Sequence, residues 1–260
     1  MKPLFEQDRV LVRLQQRVQG DRHIAACFLA GSFGRRAEDA YSDMDVALVF
    51  ADELKLERAW SERREFVRSV VPFVGVKSFD AVHVRPYFHI ALYSNGAKVD
   101  YRYETKEALQ PSYWDRDIRI LKDDGGWLEA FRVQAMQAPL VQSRLTADEL
   151  TALDERFWVM FMDVYRLLRR GDADKPFTIY LELLHFTLPP LLRALPPEEP
   201  SRQQLLHAAF SSDTRQTIRQ LVSLLDAYLA ARTAVIRRFD LDFEVDGRFE
   251  TAVKQLLHHS

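Results

Sequence analysis

Two kinds of periodicity divide this chain. Up to about residue 140, short apolar or alternating runs recur between turn residues, whereas beyond it apolar residues return only at helical spacing and glycines are scarce. A sheet and a helical bundle need different patterns, so the change predicts an α+β chain: a mixed sheet with flanking helices over 1–140, followed by a C-terminal helical bundle over 141–260. In the first part, Leu4, Leu11, Leu14 and Val18 predict an amphipathic helix stopped by Gly20, and Ile24–Ala30 reads as a buried strand ending at Gly31. Met44–Phe50 is a second strand. Leu56, Ala59, Trp60, Val67 and Val70 predict one helix ending before Pro72. Phe79–Val84, Phe88–Ser94 and Ala97–Tyr103 are strand-like, and the last two flank Asn95-Gly96, a strong hairpin signal. Ile118–Lys122 is another strand, closed by Asp123-Asp124-Gly125-Gly126, whose aspartates read as turn residues rather than ligands.

In the second part, Thr146 and Glu149 form a capping-box signature for a helix that runs to Gly171. Pro176 opens the next helix and Pro189-Pro190 ends it; Ser201 with Gln204 caps a short one, and Asp213 begins another. Arg170-Gly171-Asp172 reads as a helix end with its glycine cap.

Charge narrows the function classes. The net charge is −2, without the basic balance expected of a protein that holds a long nucleic acid. The single cysteine, Cys27, lies in an apolar run and reads as a core residue. No stretch of about 18 apolar residues is present, and the acidic start does not read as a signal peptide. The expected location is cytoplasmic.

The informative stretch is Gly31-Ser32-Phe33-Gly34-Arg35, leading to Ser42-Asp43-Met44-Asp45. On a strand, alternate side chains share a face, so Asp43 and Asp45 point one way while Met44, Val46, Leu48 and Phe50 give the strand its buried side. Two adjacent carboxylates repel one another, and a hard divalent cation relieves that repulsion. Beside them, a strand-to-helix turn at Gly31 directs backbone N–H groups and the Ser32 hydroxyl outward as an anion site. Arg35 and Arg36 stand within reach of a phosphate tail. A third carboxylate, Asp100, lies on the polar face of Ala97–Tyr103 with Lys98 and Arg102. A two-residue hairpin would set it opposite the small Ala91.

Gly31-Ser32, ten residues, then Asp43-Met44-Asp45 resembles the signature of the DNA polymerase β-like nucleotidyltransferase superfamily. The fuller Gly-Ser-Phe-Gly-Arg…Ser-Asp-Met-Asp looks like its small bacterial members that modify aminoglycoside and lincosamide antibiotics. The resemblance implies a palm-like first domain and a magnesium-dependent enzyme, with two ions, that moves a nucleoside monophosphate from an NTP, commonly ATP, to a small-molecule hydroxyl. It implies metal-binding and catalytic roles for Asp43, Asp45 and Asp100, and nucleotide contacts from Gly31, Ser32, Arg35 and Ser42. Arg35 reads alternatively as an exposed helical charge, and Asp100 as a cross-strand ion-pair partner. Glu182 is a second candidate base and His185 a structural histidine, while Trp158, Phe161, Tyr165 and Tyr180 read mostly as core. Transfer to protein or RNA, as in toxin–antitoxin systems, and a degenerate nucleotide-binding regulator are the alternatives. Arg202-x4-His207 resembles an RNase motif of partner toxins.

Overall fold

The computed structural model describes residues 6–79, 86–139, 144–172 and 174–258. The chain divides into two compact units, Met1–Val141 and Gln142–Ser260.

The first unit is a six-stranded mixed sheet with flanking helices. Its elements are α1 (Gln7–Gln19), β1 (Ile24–Ala30), the one-turn α2 (Gly31–Arg35), β2 (Met44–Phe50), α3 (Glu53–Ser61), α4 (Arg63–Val70), β3 (Phe73–Phe79), β4 (Tyr87–Tyr93), β5 (Lys98–Thr105), β6 (Arg119–Asp123) and α5 (Leu128–Gln137). The strand order is β3-β4-β5-β2-β1-β6. Among the described residues, only the central β2/β5 pair is parallel. Alternation then sorts the side chains. Met44, Val46, Leu48 and Phe50 of β2 join Val99, Tyr101 and Tyr103 of β5 under α1, α3 and α4. On the opposite face Phe28, Ala47 and Val49 pack with Leu128 and Phe131 of α5. That second cluster is small and leaves the polar starts of β2 and β5 uncovered by it. Cys27 is fully buried, and burial pushes its thiol far above the ordinary range, as befits a core residue.

Several local expectations change. The helix expected to run through Leu56–Val70 is two, broken at Glu62, which leaves helical dihedrals at φ −92°, ψ 6°. A strand, β3, runs from Phe73, with a register shift between Phe73 and Gly75 that hides its alternation. The part of the Phe79–Val84 expectation beyond Phe79 lies outside the described residues, as does Leu4 of the opening helix. Asp123 of the Asp-Asp-Gly-Gly turn accepts from the N–H groups of Trp127 (3.2 Å) and Leu128 (2.9 Å) and so starts α5, a helix the pattern did not announce.

The second unit is helical: α6 (Ala147–Arg169), α7 (Asp174–Ala194), α8 (Pro200–Leu205), α9 (Thr214–Phe239) and α10 (Gly247–His258). Thr146 and Glu149 form the expected capping box, and Asp213 caps α9. Pro189 and Pro190 do not end α7, which continues to Ala194. Each proline removes a helical hydrogen bond at a cost of about 3 kcal/mol. The carbonyls so released belong to His185 and Phe186, both exposed residues, while Leu188, Leu191 and Ala194 extend the buried stripe past the break. Ser201 is not a cap either. Glu199 holds that position, Pro200 follows it, and the Ser201 hydroxyl donates to Glu199 (3.0 Å). At the centre Arg232, 3% exposed, bridges Asp154 (2.9 Å) and Glu250 (2.5 Å), and Tyr228 donates to Asp154 (3.0 Å). Trp158, Phe161, Tyr165 and Tyr180 belong to the core of this unit. Among the described residues, no helix is long and apolar enough to cross a membrane.

Candidate active site

The parallel register of β2 and β5 sets Asp45 beside Asp100, and the antiparallel register of β1 and β2 sets Ala30 on Asp45's other side. The two carboxylates therefore share one face with a small residue next to them. The expected Asp100–Ala91 pairing does not occur: Asp100 lies opposite Ile90, and Ala91 opposite Val99. The turn explains the slip by one residue. Gly96 takes φ +85° while Asn95 keeps a negative φ, and Tyr93 N–H donates to Ala97 O (2.9 Å) around a three-residue Ser94-Asn95-Gly96 loop. A two-residue type I′ turn needs positive φ at both central positions.

Asp43 precedes β2. Its approach is pinned by Gln7, a buried residue of α1 whose amide donates to Ala40 O (3.1 Å) and Ser42 O (3.2 Å). The Ser42 hydroxyl lies within the same turn, 3.1 Å from Asp39 Oδ1 and accepting from Asp39 N–H (2.9 Å). On the other side of the site, Gly31 opens α2 at φ +60°, and a β-carbon there would overlap Asp45 Oδ2. Gly31 is thus needed for both its backbone conformation and the approach of the carboxylate. Gly34 likewise packs against the Asp117 backbone. No side chain caps α2, whose first N–H groups, as in any helix, have no intrahelical acceptor; Ser32 sits there, half-buried. Arg35 ends the helix and is exposed.

Lys98, at the start of β5, donates to Asp43 Oδ2 (2.6 Å) and to Asp100 Oδ2 (2.9 Å). Burial lowers the ammonium's pKa, but the two carboxylate hydrogen bonds outweigh it and hold the group above its ordinary value. Asp45 behaves oppositely to a paired carboxylate. Burial, followed by the charges of Asp43 and Asp100, raises its pKa against the weaker pull of Lys98 and Arg35. Asp100 Oδ1 is buried and has no hydrogen-bond partner among the described residues. An orphaned carboxylate oxygen beside a carboxylate short of positive charge is a donor set that suits a hard divalent cation. Still, among the described residues no three His, Cys, Asp or Glu side chains form a ready-made cluster; Lys98 stands between two of the three carboxylates.

A cavity of 590 Å³ opens beside Asp45 and Asp100, within the range of small-molecule sites. Gly31 and Arg35 bound it on one side, and Phe88 with the segment Ser112–Asp117 on the other. Arg102 braces its floor, donating to Glu104 (2.8 Å) and the buried Asp115 (3.4 Å), which also accepts from Ser112 (2.5 Å). Trp114 is 73% exposed, and Arg116 lies 3.5 Å over the Tyr113 ring. Asp43 and Ser32 are outside this lining.

Alternation sets Lys98 on the Asp100 face, and a cation two residues from a carboxylate on one strand face is the sequence signal for its place in the site. Gln7 and Asp115 gave none, because long-range contacts make them. Glu182 and His185 lie on the exposed side of α7 in the other unit. Arg202 donates to Leu192 O (3.1 Å), tying α8 to α7, and Gly171 ends a helix at φ +76°.

No family model and no curated protein matches the chain. Solved structures similar to it include the following two. An aminoglycoside 6-adenyltransferase from Bacillus subtilis is 11% identical, with 100% of this chain and 98% of that one covered at a TM-score of 0.38. A nucleotidyltransferase-like protein from Exiguobacterium sibiricum 255-15 is 11% identical, with 86% and 78% covered at a TM-score of 0.35. At those values the likeness carries neither activity nor substrate over to this chain.

Proposed function

We propose that this chain is a magnesium-dependent nucleotidyltransferase that moves a nucleoside monophosphate from an NTP, with ATP as the first choice, to a hydroxyl of a small molecule such as an aminoglycoside or lincosamide. The observation that carries the proposal is the pairing of Asp45 with Asp100 across β2 and β5, with Asp43 tied to Asp100 through Lys98, at the mouth of a cavity that Gly31 borders.

Asp43, Asp45 and Asp100 would hold the divalent ions. When bound, such ions neutralise triphosphate oxygens and make an acceptor hydroxyl more acidic. The first N–H groups of α2 and the Ser32 hydroxyl grip the β- and γ-phosphate oxygens, and the exposed Arg35 adds a counter-charge. Asp100 accepts the acceptor's proton as its oxygen attacks the α-phosphorus, and the bond to pyrophosphate breaks. The cavity between Phe88 and Trp114 offers apolar and aromatic surface to the substrates. A supply of NTP and a single thiol suit a cytoplasmic location.

Without a cation, three carboxylates against one bridging lysine repel a triphosphate. NTP binding is therefore expected to require Mg²⁺ or Mn²⁺. Calorimetric titration with ATP, GTP, CTP and UTP reads this out. Affinity for any of them in excess EDTA as high as in Mg²⁺ contradicts it.

A further inference from the structure

The geometry points to Lys98 as a resident counter-ion that keeps bare divalent cations out of the carboxylate site and yields its place when a cation arrives with a nucleotide. This rests on the reading of Asp43, Asp45 and Asp100 as cation ligands.

Three features support it. The Lys98 ammonium holds one oxygen each of Asp43 and Asp100, at 2.6 and 2.9 Å, and so sits where a cation shared by these carboxylates would be drawn. It serves the set incompletely: Asp100 Oδ1 is left without a partner among the described residues, and Asp45 gains only a distant charge from Lys98. A hard divalent ion takes six or more oxygen ligands, whereas one ammonium with three donors here satisfies two carboxylates. Finally, the Lys98 side chain is 42% exposed, so its four-carbon stem can carry the ammonium into water without stranding a buried charge.

Competition follows from the charges. A bare cation must break two charge-assisted hydrogen bonds and release an ammonium with no new anion to meet. A cation that enters on a triphosphate brings that anion with it, and the released ammonium can pair with phosphate oxygens. Cation and nucleotide then bind together, and the site is spared unproductive occupation by cation alone.

The test measures Mn²⁺ binding by electron paramagnetic resonance, without nucleotide and then with a non-hydrolysable ATP analogue, for the wild type, Lys98→Met and Lys98→Gln. Arg116→Met is the control, since it removes an equal charge from the cavity wall beside Tyr113. Thermal melting confirms that each variant is folded, and the glutamine variant stands in if the methionine variant is not. The expected result is a crossover: Lys98→Met binds bare Mn²⁺ about tenfold more tightly than wild type and the Mn²⁺–nucleotide complex about tenfold more weakly, each from exchanging one charged contact. Arg116→Met should leave bare Mn²⁺ affinity close to wild type. Bare Mn²⁺ binding by Lys98→Met no tighter than by Arg116→Met overturns the counter-ion role while leaving the cation site standing. An unweakened nucleotide complex overturns the hand-over to phosphate. If neither the wild type nor any variant binds Mn²⁺ with or without the nucleotide analogue, the three aspartates are not cation ligands and both readings fall.

Discussion

Asp43→Asn and Asp45→Asn are each expected to lower nucleotidyl transfer below about a tenth of wild-type turnover, since under the proposed function each would take a carboxylate from ions that contribute several kcal/mol to the transition state. Both proteins should stay folded. Neither side chain belongs to a core cluster, and the strand is anchored on its other face by Met44, Val46 and Leu48. Asp45→Asn has a second expected effect, of opposite sign. The Asp45 pKa is raised in the folded protein, so the folded form binds this proton more tightly than the unfolded chain. Its contribution is fully present below the ordinary value of 3.8 and is lost as pH rises through the folded value. At neutral pH the cation-free Asp45→Asn protein should therefore melt above wild type, and the difference should shrink on acidification. Melting curves in EDTA across pH, beside transfer rates in Mg²⁺, check both. A variant that keeps wild-type turnover would remove its aspartate from the site.

The second large effect is at Asp100. Asp100→Asn is expected to lose about 10²–10⁴-fold in turnover with NTP affinity changed much less, the pattern of a lost base. A residue that only paired with Lys98 would behave otherwise: its loss would cost about 0.2–1 kcal/mol of stability and leave turnover alone. The two oxygens of Asp100 make both roles compatible, because Oδ2 faces Lys98 while Oδ1 has no partner among the described residues. Single-turnover rates and calorimetric NTP affinities on the same preparation separate them. A fully active Asp100→Asn would turn attention to Glu182.

Legibility of the fold followed the range of the interactions involved. β1 and β2 run from Ile24 to Ala30 and from Met44 to Phe50 as the alternation and the apolar runs suggest, because burial on the sheet dictates those patterns locally. Elements set by partners at a distance were harder to see. β3 carries Gly75 and an irregular register, and α7 outlasts two prolines because its stripe stays buried beyond them. The site divides in the same way. That Asp43 stands two residues before Asp45 is read from the sequence alone, although Asp43 lies just before β2 and not on it. That Asp45 meets Asp100 depends on β2 pairing in parallel with β5, which no local pattern encodes. The Asn95-Gly96 dipeptide announced its hairpin but not the length of the loop, and so misplaced the neighbour of Asp100 by one residue.

The central claim is transfer of a nucleoside monophosphate, and the position of a label tests it most directly. The protein is incubated in Mg²⁺ with each of the four NTPs labelled at the α- or the γ-phosphate, together with a panel of hydroxyl-bearing aminoglycosides and lincosamides and a small-molecule cell extract. The proposed function predicts that α-label from at least one NTP enters a small-molecule product as pyrophosphate is released, and that EDTA abolishes the product. Transfer of γ-label instead, or no α-labelled product from any NTP with any acceptor fraction, would contradict it.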